Sequence, residues 1–182
     1  MALEQVREQF ITDGLEKVQP GEQIAMRSTE PNSLELNDIF IFPEGTELYK
    51  DRIDRTSTTS PAFYVCIVQM CAIVNGQLQV VDKFRKFYIS NMWKRRRECD
   101  ERGVNTGQSK CTGGDAAEAF RSYKTVQEAL KGLKNRPIKV TKYEPVYTLN
   151  YTTHQPEIQY IPTFEFVQAP QQQPQQTLGI SL

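Results

Sequence analysis

The chain has no apolar run of the roughly 18 residues that a membrane-spanning helix needs. Histidine occurs once, at His154, and none of the cysteines Cys66, Cys71, Cys99 and Cys111 forms a C-x-x-C pair. A zinc site takes about four such ligands at short spacings, so neither a metal nor any other cofactor is expected. Met1-Ala2-Leu3-Glu4-Gln5 lacks the basic region and apolar stretch of a secretory leader, so export by signal peptide is not expected. Reduced thiols are expected with it. There is no G-x-S-x-G, no G-x-G-x-x-G and no G-x-x-x-x-G-K-[ST]; Thr106-Gly107-Gln108-Ser109-Lys110 has only part of the last. No catalytic residue can be named, so the expectation is a protein that is not an enzyme and has no small-molecule substrate. Net charge is also absent: 22 basic residues balance 22 acidic ones, which argues against general adhesion to nucleic acid.

The balance hides a division. Residues 1–60 hold 6 basic and 12 acidic residues, residues 61–142 hold 16 and 7, and residues 143–182 hold none and 3. A positive middle between negative ends suits a polyanion, self-association, or a folded module whose charges compensate internally.

The middle is also where the strongest local signal lies. Two runs of β-branched and aromatic residues, Ala62–Val74 and Leu78–Ile89, flank Asn75-Gly76. Both turn residues tolerate positive φ, so the pattern predicts a β-hairpin. Alternation along the second run puts Phe84, Lys86 and Tyr88 on one face and Arg85, Phe87 and Ile89 on the other. Burying Phe87 and Ile89 turns an aromatic–basic–aromatic triplet outward. With Trp93, Lys94, Arg95, Arg96 and Arg97 it is a candidate path for single-stranded DNA: rings stack on bases and cations meet phosphate. The competing reading is that the terminal helix or a loop covers these rings.

The remaining chain divides into residues 1–19, a β-rich domain over 20–167, and a tail over 168–182. Leu3, Val6, Phe10 and Ile11 make a helical stripe within residues 2–18, interrupted at Asp13-Gly14. Its polar face carries more acids than bases, so it suits docking on protein rather than on anionic lipid, and no membrane partner is expected. Short strands are predicted at Ile24–Ser28 and within Leu34–Phe42, and a polar loop over Cys99–Gly114. Asp115 with Glu118 and Thr125 with Glu128 match capping boxes. Strands follow at Ile138–Tyr151, broken at Pro145, and at Glu157–Val167, with Ile158, Tyr160, Phe164 and Phe166 on one face. The Gln/Pro-rich tail cannot build a core of its own. Leu178, Ile180 and Leu182 at its tip are candidate partner-binding residues.

The expected fold is mainly β (α+β): a small barrel or sandwich, OB-like in its strand–helix–strand order, with one inserted helix and an N-terminal amphipathic helix. Gly113–Phe120, Val126–Leu133, Ile138–Thr141 and Ile161–Phe166 resemble segments of small proteins of crAss-like and other gut bacteriophages. The resemblance covers about a third of the chain. It implies a virion accessory protein, associated with capsid or tail, whose partners are other virion subunits and itself. Its location would be the virion or the host cytoplasm. Single-stranded DNA is the alternative partner.

Overall fold

The computed structural model describes residues 3–22, 34–54, 56–57 and 59–167. The strand expected at Ile24–Ser28 and the tail residues Leu178, Ile180 and Leu182 lie outside these. The protein is mainly β, with antiparallel pairing throughout its named strands. One sheet runs β1 (Glu16–Lys17), β3 (Tyr49–Arg52), β4 (Ala62–Val74), β2 (Ile39–Ile41), β8 (Ile138–Asn150), β9 (Gln155–Phe166), with β5 (Gln77–Tyr88) on the other edge of β4. A second sheet is the hairpin β6 (Arg95–Cys99) and β7 (Asn105–Cys111).

The β4–β5 hairpin forms where Asn75-Gly76 predicts it. Both turn residues have positive φ, 52° and 79°, the conformation of a type I′ turn. Alternation also holds on the inner face. Cys66 pairs with Phe87, and both are sealed in the main core with Val68, Met70 and Ile89. Phe40, Phe42, Phe87, Phe120 and Phe164 make the aromatic centre of that core, at centroid separations of 5.4 to 6.1 Å. Offset and edge-on rings at such distances add to the burial they bring.

The outer face carries a second, smaller cluster: Val6, Leu15, Tyr49, Val65 and Ile67. Helix α1 (Leu3–Thr12) covers it. The helix is shorter than the stripe over 2–18 predicts. Gly14 N–H donates to the Ile11 carbonyl and Leu15 N–H to the Phe10 carbonyl, the two bonds of a Schellman stop. That turn swings Leu15 back into the cluster, and β1 follows.

Two short helices stand where one inserted helix is expected. In α2 (Asp115–Arg121), Ala116, Ala117 and Phe120 enter the core; in α3 (Val126–Gly132), Val126, Ala129 and Leu130 do. Ser122 ends the first, and Thr125 caps the second, its hydroxyl accepting from Glu128 N–H at 3.1 Å. The other expected cap differs. Gly114 is the N-cap of α2, and the Asp115 carboxylate instead accepts from Phe166 N–H at 2.8 Å, tying the helix start to β9.

The stretch expected to be a loop, Cys99–Gly114, is mostly the β6–β7 hairpin. Its polar residues show no alternation, so nothing local marks them as strand. The Asp100 carboxylate makes the turn, accepting from Arg102 N–H at 2.8 Å and Val104 N–H at 2.9 Å. Cys99 opposes Asn105 and Cys111 opposes Arg95, so the two thiols stand at opposite ends of the hairpin. All four cysteines are free. Burial pushes the Cys66 thiol far up and the Cys71 thiol up to about 11, whereas Cys111 is exposed.

Candidate partner-binding surface

The aromatic–basic triplet faces outward as its alternation requires, but that face is not open. Phe84 and Tyr88 are half-buried and pack against the cluster beneath α1, together with Leu3 and Phe10. Phe63 meets the Tyr88 ring edge-on at 5.9 Å. Lys86 Nζ is 3.2 Å from Asp51 Oδ2 and 5.8 Å from the Tyr88 ring centre. Both faces of β5 are thus apolar in their middle, and each has its own cover. Leu3, Val6 and Phe10 were the signal for the outer one.

Trp93 and Lys94 do not extend the triplet. The chain leaves β5 through a 3-10 turn, Ile89–Trp93, which is almost wholly buried. The Arg121 guanidinium donates to the Met92 carbonyl at 2.6 Å, and Thr112 Oγ1 donates to the Asn91 carbonyl at 2.7 Å. Trp93 packs edge-on against Phe120 at 5.4 Å. Lys94 is buried, and its backbone pairs with Thr112.

Arg95, Arg96 and Arg97 stand elsewhere, beside a cleft of about 630 Å³ between the β6–β7 and β8–β9 hairpins. Asn105, Tyr151 and Glu157 also border it. Arg95 and Arg97 are exposed. Arg96 points towards β9, where its Nε donates to Gln159 Oε1 at 2.7 Å and its Nη1 to the Arg95 carbonyl at 3.0 Å. Burial lowers the Arg96 pKa, and the Glu157 charge opposes that fall. Nearby, Lys110 Nζ lies 2.6 Å and Lys142 Nζ 3.0 Å from the Glu144 carboxylate. The Lys110 hydrogen bond, then that of Lys142, holds Glu144 below its usual range. The cleft thus offers cationic donors and amides, with its walls tied by polar contacts. Among the described residues no three of His, Cys, Asp or Glu come together in a way that could hold a metal ion.

An open apolar surface lies on β8–β9. Pro145 opposes Tyr160, Tyr147 opposes Ile158, and Leu149 opposes Pro156. Directly opposed residues share a face, so the three pairs form one apolar stripe. Pro145 and Tyr147 are exposed, Ile158 is 50% exposed and Tyr160 52%. Here the structure divides a face that alternation assigned as one. Phe164 is in the core, whereas Ile158 and Tyr160 lie further along the hairpin, past the pairing of β8 with β2 at Ile138 and Lys139. The strand also runs through Pro145 instead of breaking there. Period-two spacing at 145, 147 and 149 and at 156, 158 and 160 was the available signal for this stripe.

Comparison with known proteins gives no match to a family model, to a curated protein or to a solved structure.

Proposed function

We propose that this chain is a non-catalytic accessory protein of a bacteriophage particle that binds neighbouring subunits through its β domain. The observation that carries the reading is the exposed apolar stripe on β8–β9. Contiguous apolar surface on a strand hairpin costs solubility and commonly marks a partner-binding site. The resemblance of Gly113–Phe120 and Ile161–Phe166 to gut-phage proteins supplies the particle. For the fold, we propose an OB-like arrangement. Its support is that β4 shares one edge between β3 and β2, and that α2 and α3 precede the last hairpin.

The test is incorporation into particles of the phage whose genome encodes this chain. Wild-type protein should co-purify with particles through a density gradient. Replacing Tyr147 and Ile158 together by Ser should cut incorporation at least tenfold, with melting temperature kept because both side chains are exposed. Particles devoid of the wild-type chain would sink the proposal.

A second reading, single-stranded DNA, draws support from the cleft rather than from the β5 triplet. Arg95, Arg96 and Arg97 could meet phosphates there, and exposed Tyr151 could stack on a base. On this reading labelled oligo-dT binds at low salt, weakens as salt rises, and loses about tenfold in affinity with Tyr151→Ala. Absence of binding at low salt removes it.

A further inference from the structure

The cleft between the β6–β7 and β8–β9 hairpins carries charges of both signs. At about 630 Å³ it has the volume of a small-molecule site. Three guanidinium groups line it, those of Arg95, Arg96 and Arg97, together with two carboxylates, those of Glu98 and Glu157. A strand of successive phosphates laid here would meet the acids as well as the arginines. A ligand with one phosphate and a neutral remainder can set the phosphate on the arginines and turn the rest to the acids.

The polar groups are held in place by one another. Arg96 is half-buried, and its Nε and Nη1 donate to neutral oxygens, Gln159 Oε1 and the Arg95 carbonyl. Burial outweighs the Glu157 charge in setting its pKa, so this cation is short of counter-charge. Gln159 continues the network. Its Nε2 donates to Glu157 Oε1 at 3.1 Å, and Asn150 Nδ2 donates to Glu157 Oε2 at 3.3 Å. Each carboxylate oxygen has a second lone pair, so the two can accept from a pair of adjacent hydroxyls. One amide side chain thus links a guanidinium suited to phosphate and a carboxylate suited to a diol. Asn150 also fixes a third group. Its Oδ1 accepts from Thr152 N–H at 2.9 Å and Thr153 N–H at 3.1 Å, which pins the turn that carries Tyr151. Tyr151 borders the cleft and is 72% exposed, so its ring is accessible to a planar partner.

We propose that this cleft binds a ribonucleoside 5′-monophosphate, with the phosphate at Arg96, the ribose hydroxyls at Glu157 and the base on Tyr151. Guanidinium to phosphate and carboxylate to ribose hydroxyls are the pairings that donor and acceptor chemistry favours. Glu157 is then the group that sets specificity, because a deoxyribose lacks one of the hydroxyls it accepts. The cleft is the one named in the single-strand reading, but the proposal does not rest on that reading, and it adds a ligand without adding a reaction.

Titration of the full 15N-labelled chain with AMP, GMP, CMP and UMP, followed by amide NMR, tests it. At least one should bind below millimolar concentration and shift the Tyr151 and Gln159 amides. Its 2′-deoxy counterpart should bind about tenfold more weakly, and so should the nucleoside without phosphate. Glu157→Ala, an exposed position, should weaken the ribonucleotide and leave the deoxynucleotide unchanged or tighter, since it removes an acceptor and a negative charge together. Tyr151→Ala should weaken both alike. No binding of any of the four at millimolar concentration would overturn the proposal, as would equal affinity for the ribose and deoxyribose forms. Equal weakening of both forms by Glu157→Ala would overturn the place given to the ribose. Oligo-dT titrated alongside separates the two ligands: its binding without that of a mononucleotide would leave the single-strand reading standing and overturn this one.

Discussion

Gly114→Ala should destabilise the protein by on the order of 4 kcal/mol or more, lowering the melting temperature by roughly 8–16 °C. The glycine has φ 100° and lies against β9. A Cβ there would stand 1.9 Å from the Phe164 carbonyl oxygen, 2.5 Å from its carbonyl carbon and 2.8 Å from its nitrogen. These are backbone atoms of a strand whose side chain is sealed in the core, so they cannot give way as the end of a side chain would. Neighbouring bonds confirm the close approach: Phe164 N–H donates to the Gly113 carbonyl at 2.9 Å, and Gly113 N–H to the Pro162 carbonyl at 3.2 Å. Alanine would force α2 away from β9, and Ala116, Ala117 and Phe120 with it. Gly76→Ala provides the comparison. It also has positive φ, but nothing lies within 4 Å of its added Cβ, so its cost should be about 1 kcal/mol. Thermal melts of the two variants separate the strain of φ from the clash. Similar losses in both would show that the contact with Phe164 has no weight.

Phe40→Ala should cost about 3–5 kcal/mol. Phe40 is wholly buried and meets Phe42, Phe87 and Phe164 at 5.7, 5.4 and 6.1 Å. Removing its ring opens a void between Phe42, just past the end of β2, Phe87 on β5 and Phe164 on β9, and rigid neighbours collapse poorly into such a space. The site is also central in the sheet: Phe40 pairs with Met70 on β4 and with Ile138 on β8. Urea titrations followed by the fluorescence of the single tryptophan, Trp93, read the loss, because that indole sits against Phe120 of the same core. Phe40→Leu keeps most of the volume and should lose less. A midpoint unchanged in Phe40→Ala would contradict the assignment of this ring to the core.

Signals confined to a few neighbouring residues were the legible ones. Asn75-Gly76 announces its hairpin because two adjacent residues tolerate the φ values the turn needs. Thr125 announces the start of α3 because the capping bond spans three residues. Alternation along β5 separated its two faces correctly, but alternation cannot say what lies over a face. Phe84 and Tyr88 are covered because α1, more than seventy positions away in sequence, packs there. The converse holds at Ile158 and Tyr160, whose spacing resembles that of core residues while their arm of the hairpin outruns the core. The β6–β7 hairpin was hidden for a third reason. Arg95–Cys99 and Asn105–Cys111 have neither alternation nor high strand propensity, and their pairing rests on the Asp100 turn and on ties to β8 and β9 such as Lys110–Glu144 and Arg96–Gln159. The basic run was legible as a run. That Lys94 would be buried while its neighbours Arg95 and Arg97 stay exposed depended on the 3-10 turn before them.

The short strand Ile39–Ile41 has a kinetic consequence. Each of the long hairpins, β4–β5 and β8–β9, joins strands that follow one another in sequence, and such units form in about 1–10 μs. In the main sheet, among the described residues, β2 alone pairs with both. It offers three residues to do so, and its partners on β8 lie about a hundred positions further along the chain. The slow event in folding is then the capture of β2 between two preformed ladders, since closing so long a loop precedes any reward from contact. Substitutions within Ile39–Ile41 would accordingly slow folding, whereas those at the two hairpin tips would chiefly speed unfolding.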